Sequence, residues 1–255
     1  MNKLLGSTLI ASALTLSAST TLAADLVRES RAVDARVTRV QLDGVADLVV
    51  RQGATPSLVI SGERADVARV TTRQQGDTLE IDTERRNNYT HGHTPKLRAE
   101  LVVPNLAEFV SEGVGASTLS GFSGDKIVVA LDGAGAVTLQ GSYRKIDARL
   151  GGVGSLSIDA VNAERMDLAL RGAGQLAVSG QTRALRATLA GMGKLDAEKL
   201  RAETVDLDMS GLGGAAVYAS TAANVNLSGM GSATVYGKPA QRHASTGGMG
   251  KVSWR

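Results

Sequence analysis

Cysteine is absent from the 255-residue chain. The sequence therefore provides no disulfide framework, no thiol nucleophile and no thiolate metal ligand. Aromatic residues are scarce, at 2 Phe, 1 Trp and 4 Tyr, and this argues against a row of rings that stacks on bases or sugars. The formal net charge is only +3, so the overall charge balance does not indicate nucleic acid as a partner.

Long hydrophobic runs are also absent beyond the first residues of the chain. Lys3 precedes an apolar run from Leu4 to Leu16, and Thr21-Leu22-Ala23 forms a small-residue cleavage site. This order is typical of a secretory signal peptide, which we assign to residues 1–23. No second apolar run is long enough for a transmembrane segment. We therefore expect an exported protein, located in the periplasm, in the outer cell envelope or secreted, with one domain over residues 24–255.

Glycine, in contrast, is abundant, with 30 residues. Eight Gly-x-Gly doublets follow one another through the second half of the chain, and their first glycines are 18 to 20 residues apart. A fixed period of this length indicates an array of one short structural unit. We interpret both glycines of each doublet as structural turn positions, where a close corner leaves no room for a Cβ atom. These positions are Gly113, Gly115, Gly133, Gly135, Gly152, Gly154, Gly172, Gly174, Gly191, Gly193, Gly211, Gly213, Gly229, Gly231, Gly248 and Gly250.

Apolar residues alternate with polar ones on both sides of the doublets. Around the third doublet, for example, the apolar positions are Ile146, Ala148 and Leu150 before it and Leu156 and Ile158 after it. Period two indicates strands with one buried face. A unit of about 20 residues spans roughly 65 Å of extended chain, which suits one coil of a solenoid. The sequence therefore predicts an all-β fold, a single-stranded right-handed parallel β-helix with about 18–20 residues per turn.

Regular Gly-x-Gly repeats are predicted over residues 113–250, with irregular turns before them. About three turns are expected ahead of the first doublet, from the strand-like runs Leu58 to Ile60, Leu79 to Ile81 and Leu97 to Val103. Residues 82–96 interrupt these runs and have the composition of a polar loop.

The last unit of the sequence departs from the apolar pattern. Within residues 236–255, the three inward positions are Arg242, Ala244 and Thr246. A polar capping turn is therefore predicted here, because it would limit pairing of an open strand edge with other chains.

The residue between the two glycines is apolar in all eight doublets. By parity these side chains face outward and would form an exposed apolar stripe along the stack. A bulge at the corner would instead turn them inward, and the sequence leaves both orientations open. If the stripe is exposed, it is our candidate binding surface, formed by Val153, Ala173, Met192, Leu212, Met230 and Met249.

Polar outward residues suggest one weak metal site. Asp206, Asp208, Asn224 and Asn226 would bring four oxygens together across two adjacent coils, where a hard cation could bind. The alternative is a solvated polar ladder, because calcium usually takes more than four oxygens. His91 and His93 lack a third ligand nearby, and surface histidines are the simpler interpretation of them. We expect no cofactor.

Several segments resemble the head GIN domain family of "putative autotransporter adhesins", bacterial proteins with a right-handed parallel β-helix. The resemblance extends over the region after the signal peptide. The segments that carry it are Val40 to Gly44, Asp47 to Gly53, Gly76 to Ile81, Ala99 to Leu106, and repeats such as Asp132 to Gly135 and Ser228 to Gly231. The resemblance implies the solenoid fold and an adhesin-like role.

Two functions remain open at this point. The first is a non-enzymatic envelope or secreted protein, adhesin-like or structural, whose partner is a protein or glycan of the cell envelope or of a host surface. Self-association is also compatible with this function. The alternative is a carbohydrate-active β-helix that acts on envelope or extracellular polysaccharide through Asp147, Asp167, Arg186 and Asp206.

Overall fold

The computed structural model describes residues 25–83 and 97–255. The predicted signal peptide lies outside the described residues, as do positions 84–96 of the predicted polar loop, with His91 and His93. Asp82 and Thr83, which we expected in that loop, instead end a strand.

The described residues form strands almost throughout, with one short helix. In chain order the elements are β1 (Leu26–Arg31), β2 (Arg39–Leu42), β3 (Asp47–Gln52), β4 (Ser57–Glu63), α1 (Arg64–Val67), β5 (Val70–Gln75), β6 (Thr78–Thr83), β7 (Arg98–Val103), β8 (Glu108–Ser111), β9 (Val114–Leu131), β10 (Ala134–Leu150), β11 (Val153–Leu170), β12 (Ala173–Leu189), β13 (Met192–Met209), β14 (Leu212–Leu227), β15 (Met230–Tyr236), β16 (Gln241–Thr246) and β17 (Lys251–Trp254).

Strands β9 to β14 each follow the chain around nearly a whole coil, and each pairs in parallel with the next. Equivalent positions of the repeat stack directly, so that Leu139 lies against Ile158 and Ile158 against Val178. These inward side chains are all buried and belong to one continuous core. The predicted all-β solenoid of stacked parallel coils is therefore confirmed, with about 7 turns.

The coils differ slightly in length, and one corner absorbs the difference. Register shifts between neighbouring strands occur around residues 141–145, 160–163, 177–180 and 197–204, which we call the variable corner. The Gly-x-Gly corner stays in register, with Gly154 opposite Gly174. The walls on either side of the glycine corner therefore keep their columns of side chains aligned from coil to coil.

The N-terminal coils are not stacked in sequence order. Strand β2 pairs in parallel with β6 on one side and β8 on the other, and β3 pairs in the same way with β7 and β9. The coil made by β6 and β7 is therefore the outermost parallel coil. The three expected runs form β4, β6 and β7. Strand β4 is antiparallel to β7, and β5 is antiparallel to β6, so the three runs do not form three successive solenoid turns.

Antiparallel strands cover the edge of this outermost coil. Strand β4 lies between β7 and β1, and β5 pairs with β6. Arg31 of β1 is half-buried and donates hydrogen bonds to the Val70 carbonyl oxygen and to the Thr72 hydroxyl. These bonds connect β1 to β5, and the strands together satisfy a parallel edge that would otherwise be open.

Aromatic side chains fill the core where irregular and regular coils meet. Phe109, Phe122 and Tyr143 are all buried. The Tyr143 hydroxyl donates a hydrogen bond of 2.7 Å to the Leu106 carbonyl oxygen. Gly124 lies opposite Tyr143 in the neighbouring coil, and a Cβ atom on Gly124 would lie 3.1 Å from the ring. The absence of that Cβ gives the tyrosine ring its space.

The last coil is incomplete and polar. Strand β16 stacks on β14 and β17 on β15, each in parallel. Arg242 lies opposite the buried Ala223, yet every residue of β16 is exposed, because no described strand covers its other side. The Arg242 guanidinium lies 5.7 Å from the centre of the Trp254 ring, and Trp254 packs against the end of the core.

Candidate functional surfaces

The Gly-x-Gly corner is too tight for a side chain at either glycine of the first seven doublets. A Cβ atom on Gly193 would lie 2.2 Å from the carbonyl oxygen of Gly174 in the preceding coil, and one on Gly152 would lie 1.9 Å from that of Gly133. Such contacts are far shorter than van der Waals distance, and the atom met is backbone. Glycine is required here because the corners of successive coils pack directly on one another.

The apolar residues between the glycines lie at the surface. Of these, Val153, Met192, Leu212, Met230 and Met249 are 61%, 63%, 46%, 56% and 80% exposed. Ala173 is half-buried in the same column. The stripe also includes Val114 and Ala134 in the first coils. Successive members from Val114 to Met230 are opposite one another in the parallel register, and Met249 follows in the last coil. The eight residues form a row roughly 34 Å long at about 4.8 Å per coil.

A shallow channel of 760 Å³ runs beside this stripe on the wall that follows the corner. Small residues line it, including Ser155, Gly174 and Gly214, and Met192 forms part of its rim. The sequence analysis did not identify this channel. The signal was available in the position directly after the doublet, where Ser155, Gly214 and Ser232 are small.

The wall that precedes the corner carries the acidic residues considered for carbohydrate chemistry. Asp167 is paired with Arg165 at 2.7 Å, and Asp147 is paired with Lys126. The hydrogen bond with Asp147 raises the pKa of Lys126, and that with Asp167 raises the pKa of Arg165. Each of these two carboxylates therefore already has a cationic neighbour on the exposed wall.

A depression of 470 Å³ lies on this wall, and its lining brings together three of the four residues predicted for carbohydrate chemistry. Asp147, Asp167 and Arg186 line it together with Arg149 and Thr188. The fourth residue, Asp206, is in the next coil, opposite Arg186, and is not part of the lining.

The four residues of the predicted cation site form two hydrogen-bonded pairs between adjacent coils. The Asn224 amide donates to Asp206 at 3.0 Å, and the Asn226 amide donates to Asp208 at 2.9 Å. The amides thus turn their N–H groups, not their oxygens, toward the carboxylates. Among residues 25–83 and 97–255, no group of three or more His, Asp or Glu side chains is arranged to hold a metal. The geometry favours a polar ladder.

The variable corner carries a second ladder, which the sequence analysis missed. Arg144 lies 3.0 Å from Asp125 and 3.2 Å from Glu164, and its hydrogen bond with Glu164 raises the pKa of Arg144 and lowers that of Glu164. All three side chains are exposed, so each pair stabilises the fold only weakly. The available signal was charge of alternating sign at the repeat period, in Asp125, Arg144, Glu164, Arg183 and Glu203.

Three solved structures with the same architecture are similar to this chain at low sequence identity. A "putative lipid binding protein" from Parabacteroides distasonis superposes with a TM-score of 0.79 at 18% identity, covering 91% of this chain and 97% of that one. A "putative adhesin" from Parabacteroides merdae gives 0.78 at 17% identity, covering 91% and 96%. A "putative adhesin" from Bacteroides fragilis gives 0.65 at 18% identity, covering 91% and 98%. At such identities the likeness shows the fold.

Residues 36–239 match the family model described as "putative auto-transporter adhesin, head GIN domain". No curated protein matches the sequence. In the part of the chain that the structure describes, no helix has the length and hydropathy needed to cross a membrane.

Proposed function

Because the chain belongs to the head GIN domain family, we propose that it is an exported, non-enzymatic binding module of the cell envelope that contacts its partner through the Gly-x-Gly corner. The observation that carries this proposal is the exposure of the apolar stripe. Single exposed apolar residues are common on soluble proteins, but a continuous apolar row is typical of an interaction surface.

The shape of the corner limits the kind of partner that fits. The stripe is one side chain wide and roughly 34 Å long at about 4.8 Å per coil, and the channel beside it is lined by small residues such as Ser155 and Gly214. A partner with one apolar row could cover the stripe while its neighbouring side chains enter the channel. We therefore propose a protein partner that lies along the stack axis.

Methionine oxidation tests this contact directly. Met192, Met230 and Met249 are exposed, whereas Met166 and Met209 are buried in the same chain and serve as internal controls. Exposed methionines are oxidised to sulfoxide by peroxide. We expect an envelope extract to protect the three stripe methionines and to leave the buried pair unchanged. Equal oxidation of the stripe methionines with and without extract would count against the proposal, and protection that depends only on the protein's own concentration would identify a second copy as the partner.

A triple variant, Met192→Ser/Leu212→Ser/Met230→Ser, then tests whether the stripe provides the binding. The substituted side chains are surface groups, so the melting temperature should change little. The matched control is Leu26→Ser/Val161→Ser, at two exposed apolar positions, 73% and 62% exposed, away from the stripe. A partner captured by wild type and control but not by the triple variant supports the proposal; equal capture by all three contradicts it.

The depression on the acidic wall favours one alternative, a carbohydrate-active solenoid. Asp147 and Asp167 would act with Arg186 on a polysaccharide, and Asp206 of the next coil would extend the site. This alternative predicts that an acidic glycan raises the melting temperature of wild type but not of Arg186→Gln, because a ligand of the folded state stabilises it. A broad glycan panel that leaves wild-type melting unchanged would exclude this alternative.

A further inference from the structure

Charge is distributed unevenly along the stack, although the net charge is small. Residues 25–112 contain 14 acidic and 12 basic residues, and residues 113–208 contain 11 of each. Residues 209–255 contain 4 basic residues and no acidic one. The last acidic side chain in the chain is Asp208 of β13. The C-terminal end of the stack is therefore cationic, which the overall charge balance conceals.

The four cations surround a single coil. Arg242 lies on β16 and Lys251 on β17, which form the two walls of the last coil. Lys238 lies in the turn between β15 and β16, and Arg255 follows β17, held there by the hydrogen bond from its backbone N–H to Val235. All four residues are exposed. Because they share one coil, these residues lie at one level of the stack and not along its length.

This arrangement distinguishes between kinds of anionic partner. A linear polyanion follows a track of cations along a groove, whereas a ring of cations in one plane faces a flat surface. Met249, which is 80% exposed, belongs to the same end of the stack. An exposed apolar side chain among cations is the combination that binds the interface of an anionic bilayer. We propose that the last coil, with Met249, docks the solenoid end-on onto an anionic lipid surface, leaving the walls and the stripe from Val114 to Met230 free for the partner described above.

Co-sedimentation with lipid vesicles tests the docking. Residues 24–255, without the predicted signal segment, would be mixed with vesicles of phosphatidylcholine alone or with about one third phosphatidylglycerol. We expect binding only to the anionic vesicles, and we expect high salt to weaken it because the attraction is screened within a Debye length. The variant Lys238→Gln/Arg242→Gln/Lys251→Gln/Arg255→Gln should bind at least tenfold more weakly, since each cation near such a surface contributes about a fivefold factor.

A charge-matched control separates the last coil from the net charge. Lys145→Gln/Arg171→Gln/Arg183→Gln/Lys199→Gln removes four exposed cations from the middle of the stack and should bind like wild type. Equal weakening of both quadruple variants, or wild-type binding to a soluble polyanion but not to vesicles, would overturn the proposal. The absence of wild-type vesicle binding would also overturn it. Self-association of the end variant would then show that the cations only keep the open edge from pairing. The stripe variant should keep its vesicle binding, so failure of either proposal leaves the other testable.

Discussion

Glycine stacked on glycine determines how closely successive coils approach one another at the corner. Gly193 has a carbonyl oxygen of the preceding coil where its Cβ would be, whereas a Cβ on Gly214, on the adjoining wall, would meet nothing closer than 3.6 Å. We therefore predict that Gly193→Ala destabilises the protein by about 1–3 kcal/mol, as overpacking against rigid neighbours does. Gly214→Ala, its control, should be neutral or slightly stabilising because alanine restricts the unfolded chain. Urea unfolding followed by circular dichroism measures both, and equal stabilities of the two variants would contradict the steric explanation.

Tyr143 is a second single residue with a measurable role. Its hydroxyl donates to the Leu106 carbonyl oxygen in the core, so Tyr143→Phe leaves that acceptor unpaired and should reduce the free energy of unfolding by about 1–2 kcal/mol near neutral pH.

The same residue predicts a dependence on alkaline pH. Burial raises the pKa of Tyr143 above its ordinary value of 10.0. The folded state therefore keeps the proton at a pH where the unfolded chain loses it, and the stabilisation is complete below about pH 10 and lost as the pH rises further. Wild type should lose more stability than Tyr143→Phe between about pH 10 and pH 12. Parallel losses in the two proteins, measured by urea unfolding at each pH, would show that Tyr143 does not titrate in the core.

Strands and their inward faces could be predicted from sequence, but their partners could not. Leu58 and Ile60 are buried two residues apart just as Leu79 and Ile81 are, yet the first pair belongs to an antiparallel strand and the second to a parallel coil. Period two indicates which face is buried and contains no information on strand direction. The regular coils were predictable because repetition leaves one arrangement that stacks every equivalent position, whereas residues 25–112 have no such repetition.

Surface chemistry was predictable to a similar extent. Parity assigned Asp206 and Asn224 to the outer wall and brought them together across adjacent coils, where the structure has them. Parity could not determine which end of the amide faces the carboxylate. Because a carboxylate only accepts hydrogen bonds, the amide presents its N–H group, and a set of four oxygens becomes a ladder of donors and acceptors.

Substitution of the amides tests this ladder. In Asn224→Asp/Asn226→Asp the donors are replaced by carboxylates that face Asp206 and Asp208, and like charges directly opposite each other are destabilising. We predict a lower melting temperature at neutral pH, with recovery on addition of millimolar calcium, which would bind between the four carboxylates and offset part of their repulsion. Wild type should melt at the same temperature with and without calcium. A calcium-dependent rise in wild-type melting would instead support the predicted cation site.

The stack as a single body derives its stability from contacts between neighbouring coils. Inward columns run through it without interruption, as from Leu168 to Ala187 and on to Leu207. The glycine corner keeps these columns in register, and the variable corner accommodates the extra residues of the longer coils. Such a solenoid should behave as a sum of coils and of the interfaces between them, so that its length can change without a change of fold.

Removal of one complete coil tests this additivity. Deletion of residues 152–171 joins Gly151 to Gly172, so the corner of the next coil would stack directly on Gly133 and every inward column would continue. We expect a folded, β-rich protein that has lost about 1–3 kcal/mol, the share of 20 residues in the stability of a typical domain. Deletion of residues 152–161 removes only half a coil, preserves parity and misplaces the glycine corner, so it should abolish cooperative unfolding. Far-UV circular dichroism and urea unfolding distinguish the two deletions. If both proteins were folded, or if neither were, the stability of the solenoid would not reside in the register of whole coils.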